Sequence, residues 1–186
     1  MFMVRHLTTE ELEAGLVEAL GSPKDAGTLD LIVRRPEIDA REVLEAAELS
    51  LEEGMVGDNW SRKPSSSTSD NSPDPEAQLT LMNTRVLRLV AAGDESHMPM
   101  AGDQMVVDID LSTANLPTGT RLQIGTAVIE VTAKPHTGCA KFVERFGGEA
   151  MRFVNSSAGR EICLRGINAK VVQPGTITKG DTICRV

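Results

Sequence analysis

Aromatic side chains are scarce in this sequence: one Trp, four Phe and no Tyr, 3% of 186 residues. A surface that stacks single-stranded nucleic acid needs aromatic platforms, so that class of function is excluded. Basic charge is short as well. Nineteen Lys and Arg face 27 Asp and Glu, a formal net charge of −8, whereas nucleic-acid binders carry a basic footprint. A local cluster of arginines can still focus positive potential on a small anion within an acidic chain. No apolar run reaches the ~20 residues needed to cross a bilayer. The opening MFMVRHLTTEELEAG lacks the apolar stretch of a secretory signal. Cys139, Cys163 and Cys184 are odd in number and too widely spaced for a disulfide framework or a paired-ligand zinc site. The expectation is a protein of the reducing cytoplasm, with neither nucleic acid nor membrane as a partner.

Hydrophobic residues make up 40% of the chain, enough for a sizeable core in one domain or a domain with an added helical segment. Two helices are expected first. Thr8 with Glu11 forms a capping box ahead of Leu12, Leu16 and Leu20, and Gly21 ends the pattern. Asp39 with Glu42 repeats the start signal, and Val43, Leu44, Ala47 and Leu51 carry a second helix to Gly54. Between them TLDLIVRRP reads as a short strand stopped by Pro36. The Ser-, Pro- and Asp-rich stretch 62–77 reads as a mobile loop or a lid over a site. Beyond it the texture is β: QLTLMNTRVLRLVA, GDQMVVDIDL, TRLQIGTAVIEVT with a hairpin turn at Gly125, NAKVVQPG and GDTICRV. CAKFVERFGGEAMRFVNSS interrupts them as a helix, with Phe142 and Phe146 at i, i+4 before Met151 and Val154. No internal repeat is visible. The fold class is therefore mainly β (α+β), a barrel or twisted sandwich with peripheral helices. Residues 1–27 form an N-terminal helical segment and 28–186 the β-rich domain.

Cys139 lies in KPHTGCAKFVERFG, residues 134–147. With Thr137 as N-cap, its sulfur falls in the first helical turn, where unpaired N–H groups and the positive end of the dipole favour a thiolate. Lys134, His136 and Lys141 push the same way, and Gly138 permits a ligand to approach the backbone. A thiolate suits a soft metal or a persulfide. Burial as a small hydrophobe is the other reading, and the residues alone leave both open. Cys163 in REICLRG and Cys184 in DTICRV fall in apolar strand patterns and read as packing groups. A protease-like pair of Cys139 and His136 lacks a third, orienting group. His6 and His97 read as solvated or loop residues.

PHTGCAKFVERFG, the hairpin PTGTRLQIGTAVIEVT before it and the ending LRGINAKVVQPGTITKGDTI together resemble the MOSC domain, a family named for the C-terminal domain of molybdenum cofactor sulfurases. GMVGDNW, residues 54–60, is similar to the family's glycine–aspartate segment, and QLTLMN to the strand that follows it. The resemblance spans residues 28–186 and implies a MOSC-type, barrel-like fold with a site for the molybdenum cofactor, in which molybdopterin carries the metal. It further implies that Cys139 ligates molybdenum or carries sulfur as a persulfide, with His136 beside it. The pterin phosphate needs cations. Arg34, Arg35, Arg62, Lys63 and Arg85 are the candidates, since Arg suits bidentate phosphate capture, and each reads equally as a solvated charge. Asp58 and Asn59 suit the pterin edge, or simply the turn that GDN favours. AGDQMVVDIDL stands where many members have an Asn-containing segment, and the insert after GDNW reshapes the approach to the site.

Three functions stay open at this level. One is an oxidoreductase reducing N-hydroxylated compounds with electrons from a separate redox partner, because no flavin or iron–sulfur motif is present. Another is a sulfur carrier loaded by a cysteine desulfurase-type donor, because no pyridoxal-lysine domain precedes this one. The third is a ligand-binding barrel in which Cys139 merely packs.

Overall fold

A computed structural model describes residues 5–186, so residues 1–4 of the expected N-terminal segment lie outside the described residues. Helix α1 (Thr9–Ala19) starts at the expected capping box: the Thr8 hydroxyl accepts from the Glu11 N–H, and the Glu11 carboxylate accepts from the Thr8 N–H. Strand β1 (Gly27–Arg34) follows, as its β-branched run predicts. The second expected helix is absent. Its residues form three short strands, β2 (Glu42–Leu44), β3 (Ala46–Ser50) and β4 (Gly54–Met55). Pairing decided the matter: β3 buries alternate residues, Ala47 and Leu49, and finds a backbone partner in the C-terminal segment. Asp39, read as a cap, instead adopts φ 63° and spends its carboxylate on distant cations. Propensity is a weak prior against such tertiary pairing.

A one-turn 3₁₀ helix (Trp60–Arg62) and another (Pro75–Ala77) bracket the polar loop. This loop is tied down rather than free of contacts. The Trp60 indole N–H donates to the Asp74 carbonyl at 3.2 Å, and Lys134 pairs with Asp74. Strand β5 (Leu79–Asn83) comes next. The expected strand stops there, because Asn83 caps helix α2 (Thr84–Val90) by accepting from the N–H groups of Arg85 and Val86. A 3₁₀ segment (Glu95–Ala101) leads to β6 (Met105–Asp108), and β7 (Arg121–Ile124) and β8 (Ala127–Val131) form the expected hairpin. Helix α3 (Ala140–Asn155), kinked at Gly147, and the short α4 (Ser157–Glu161) precede β9 (Ile167–Gln173), β10 (Gly175–Thr178) and β11 (Thr182–Arg185).

Seven strands close into a barrel in the order β1, β6, β5, β9, β8, β7, β11 and back to β1. All neighbours are antiparallel except β5 and β6, which α2 joins as a crossover. β2 extends β1 outside the ring, and β10, β3 and β4 make a separate small sheet. Closure removes the exposed edges of the ring. Leu29, Leu81, Val107, Leu122, Ile129 and Ile183 fill its interior. A second core sits where α1, α2 and α3 pack on the outside of β5 and β6, around Leu12, Met82, Leu87, Val106, Phe142 and Phe146. β5 therefore buries both faces, Leu81 inward and Met82 outward, which is why QLTLMN reads as a continuous rather than alternating run. Each fully buried side chain of this size contributes ~1.5–3 kcal/mol. Val131 at the end of β8 belongs to the first core and Phe142 and Phe146 of α3 to the second, so both ends of the loop between β8 and α3 are anchored.

Candidate functional site

Cys139 is exposed and is itself the N-cap of α3. The helix begins at Ala140 rather than inside the Thr137 turn, so the sulfur stands at the helix head and not in its first turn. Its backbone is extended (φ −122°, ψ 179°) and its side chain makes no capping bond. Gly138 is drawn onto the body of the helix: its N–H donates to Asn155 Oδ1 at 3.1 Å, and a Cβ there would collide with the Met151 sulfur. The close approach explains the glycine, and it leaves the next side chain pointing away from packing.

Two cations follow Cys139 along α3. Lys141 and Arg145 both donate to Asp39 Oδ1, at 2.6 and 2.7 Å, and Arg145 also donates to the Met100 carbonyl at 2.9 Å. The Lys141 hydrogen bond holds the Asp39 carboxyl below its ordinary range. Beside them lies Arg41, half-buried, with an Nε that has no hydrogen-bond partner. Burial and the charges of Arg145 and Arg35 push its guanidinium down, against the opposing pull of Asp39 and Asp58. Arg35 is fixed by a fork on Asp58 (2.9 and 2.8 Å) and by the Gly102 carbonyl at 2.9 Å. Arg35, Arg41 and Arg145 thus concentrate positive charge locally in an acidic protein, with one guanidinium N–H unpartnered among the described residues.

The remaining expected residues divide cleanly. Asp58 is fully buried, accepting from Arg35 and from the backbone N–H groups of Arg35 and Trp60, so its oxygens anchor the turn and the arginine rather than face a ligand. Asn59 is half-buried in the same turn, its N–H on the Arg35 carbonyl at 2.9 Å. Arg34 is committed to Glu42 at 2.7 Å. Arg62 donates to the Pro36 carbonyl at 2.7 Å, and Lys63 is exposed. Arg85 forks onto Asp108 (2.9 and 3.0 Å) beside Ser22, sharing no partner with the Cys139 loop. Cys184 is half-buried on β11 as a strand residue, whereas Cys163 is not in a strand. It occupies a turn after α4 with φ 53°, because GRE extends the α4 turn before β9 begins. His6 is exposed, while His97 is partly buried against Phe146 and bonds the Arg145 carbonyl at 2.8 Å.

His136 is brought to a partner that no sequence spacing announces. Its Nε2 lies 2.7 Å from Asp103 Oδ1, and the other oxygen of Asp103 accepts from Arg165 Nη1 at 2.7 Å. Arg165, only 6% exposed, also lies over the Phe142 ring at 4.9 Å. Burial pushes the Asp103 carboxyl up, but Arg165 and His136 outweigh it and hold it at about 2. Burial and the Arg165 charge push the His136 imidazole down, against the pull of Asp103. The neutral imidazole therefore donates Nε2–H to Asp103 and keeps Nδ1 as an acceptor.

A pH prediction follows from that balance. The unfolded chain takes up the imidazole proton near the ordinary value of 6.5, the folded chain only at lower pH. The unfolded state thus binds the extra proton first, and stability falls as the pH drops below that value. Urea midpoints measured on the way down from neutral pH should decline for the wild type and flatten for His136→Gln. An unchanged slope in the variant would place the acid sensitivity elsewhere.

A closed seven-stranded barrel flanked by helices, with an exposed thiol at a helix head, defines a class of small β-barrel domain with one cysteine loop between β8 and α3. The family model of the MOSC domain matches residues 68–184, well over half of the chain, and the chain belongs to the MOSC domain family. Solved structures share the fold. YuaD from Bacillus subtilis superposes with a TM-score of 0.59 at 14% identity, over 85% of this chain and 94% of that one. YiiM from Escherichia coli gives 0.55 at 18% identity, over 86% and 69%. YiiM from Geobacillus stearothermophilus gives 0.53 at 11%, over 89% and 74%. None of the curated proteins matches the chain. Among the described residues no helix is long and apolar enough to cross a membrane, and no group of three His, Cys, Asp or Glu side chains is placed to hold a metal ion.

Proposed function

We propose that this MOSC protein binds a molybdenum–pterin cofactor through Cys139 and supports the reduction of N-hydroxylated compounds, with electrons from a separate donor. The observation that carries the reading is the exposed, unbonded thiol at the head of α3, and a buried Arg41 Nε without a hydrogen-bond partner among the described residues is consistent with it. The donor set fits the group. One protein thiol without neighbouring ligands suits a metal that brings its other sulfur ligands on the pterin. Arg41, with Arg35 and Arg145 beside it, suits the pterin phosphate, an anion whose arrival relieves the mutual repulsion of the three.

When bound, the cofactor supplies a two-electron centre. The protein's own part is narrower. Cys139 holds the metal end at the helix head, and the arginines hold the phosphate end. Asp39 and Asp58 keep Lys141, Arg145 and Arg35 from swinging into solvent. His136, oriented by Asp103, offers a neutral nitrogen that accepts or returns a proton in the same loop.

The test is expression in a host that makes the cofactor, followed by metal analysis and pterin fluorescence. Wild type should carry molybdenum near stoichiometry, and Cys139→Ala should lose it by about tenfold or more, the equivalent of at least ~1.4 kcal/mol, while the cofactor-free forms of the two should melt at the same temperature. A cysteine mass gain of one sulfur without metal would instead make Cys139 a persulfide carrier for a molybdenum or metal–sulfur centre. Neither signal would remove the proposal.

A further inference from the structure

A cavity of about 310 Å³ opens between the β8–α3 loop, the turn after α4 and the segment before β7. Thr137 lines it but Cys139 does not. Its volume lies at the lower end of the range for small-molecule sites. Two properties of its wall select a ligand. The first is charge: Lys134, Arg160 and Arg165 line it, and no carboxylate does. Lys134 is matched by Asp74 outside the wall. Arg160 has no ion-pair partner among the described residues. Arg165 shares Asp103 with His136, and its buried Nε has no hydrogen-bond partner. The second property is the apolar wall formed by Leu116, Val131, Val154 and Ile167.

We propose that this cavity is a binding site for a small organic carboxylate: its hydrocarbon body lies against the four aliphatic side chains and its anionic end is held by Arg160 and Arg165. A charged group enters such a space only against a matching charge, and guanidinium forks suit a carboxylate in two-point contact. Inorganic phosphate satisfies the cations but leaves the aliphatic wall wet. A neutral amide of the same shape fills the wall but leaves the guanidinium groups unpaired. The site shares His136 and the Asp103–Arg165 pairing with the proposed cofactor site but not Cys139, so protection read separately at the two cysteines distinguishes failure of one proposal from failure of the other.

Cys163 makes the proposal measurable, since its half-buried sulfur lines the same cavity, 3.6 Å from Thr113 Oγ1 and 3.7 Å from the Arg160 carbonyl. The experiment follows iodoacetamide alkylation of Cys163 and Cys139 separately, by peptide mass spectrometry, in the cofactor-free wild type. Benzoate is the probe, with benzamide and inorganic phosphate as comparisons. Benzoate should protect Cys163 and leave Cys139 unprotected, and should do so at about tenfold lower concentration than benzamide, the ratio expected for one lost ionic hydrogen bond. Arg160→Gln, an exposed change that leaves the Asp103 pairing intact, should abolish that preference. Equal protection by benzoate and benzamide, phosphate protecting as well as benzoate, protection at Cys139 instead, no protection at all, or a preference that survives Arg160→Gln would each overturn the assignment.

Discussion

Asp103→Asn is expected to destabilise the folded chain by about 3–5 kcal/mol at neutral pH, measured as a shift in the urea unfolding midpoint at constant slope. Asn keeps the shape of Asp, so no cavity opens, and the effect isolates the charge. Both oxygens of Asp103 are in use, one on His136 and one on Arg165, and the side chain is wholly shielded from water. Without the negative charge, Arg165 is left as a buried cation whose other partners among the described residues are the Ala101 carbonyl, the Met82 sulfur and the face of Phe142. Removing one member of a buried pair costs far more than the pair itself contributes, so Arg165→Met on top of Asp103→Asn should recover part of the loss. The sign with pH is fixed by the depressed carboxyl. The stabilisation is complete above the ordinary value of 3.8 and disappears as the pH falls through about 2, so the gap between wild type and variant should close in that window. A loss under ~1 kcal/mol at neutral pH, the size of an exposed pair, would mean that Arg165 is not desolvated as its burial indicates.

The Asp103 cluster also marks the limit of what the chain discloses before it folds. The capping box at Thr8, the hairpin at Gly125 and the helix carrying Phe142 and Phe146 are local devices, and each formed where its residues said it would. The stretch from Asp39 to Gly54 misled because its cap signal and its apolar spacing are also local, whereas its conformation is set by β10, more than a hundred residues on. Asn83 was a missed local signal: an Asn followed by Thr and then Val86, Leu87 and Val90 is a helix start, and it ends β5. At the candidate site, Cys139 was singled out from its own surroundings, and the fold leaves it exposed. Asp103, Arg41 and Arg165 were not found. Each is a single charged residue in an ordinary run; the fold brings Asp103 to His136 and Arg165 to Asp103, and sets Arg41 beside Arg145 and Arg35, and no spacing in one dimension encodes that. Asp58 shows the converse: the glycine–aspartate segment was legible, but its carboxylate acts one step back, by holding Arg35.

The second large effect is expected at Gly166, and it tests whether register alone places Arg165. Gly166 has φ 105° and sits one residue before Ile167, which pairs with Leu81 of β5. A Cβ there would run into the Leu81 carbonyl oxygen and stand 3.2 Å from Met82 Cα, so the obstacle is backbone that cannot rotate away. Two costs add: a left-handed backbone for a residue with a side chain, ~1–3 kcal/mol, and overpacking against a fixed strand, ~1–3 kcal/mol. Gly166→Ala should therefore lose about 2–6 kcal/mol. Gly180 supplies the matched comparison, with φ 92° and nothing within 4 Å of its Cβ position, so Gly180→Ala carries the backbone cost alone. The difference between the two variants measures the closeness of β9 to β5. Any relief of the collision moves β9 away from β5 and carries the adjacent Arg165 with it, so Gly166→Ala should also flatten the loss of stability on acidification, because a loosened pairing lets the Asp103 carboxyl return toward its ordinary value. Equal melting temperatures for the two variants would mean that β9 is not clamped there, and the geometry that joins Arg165, Asp103 and His136 would need another support.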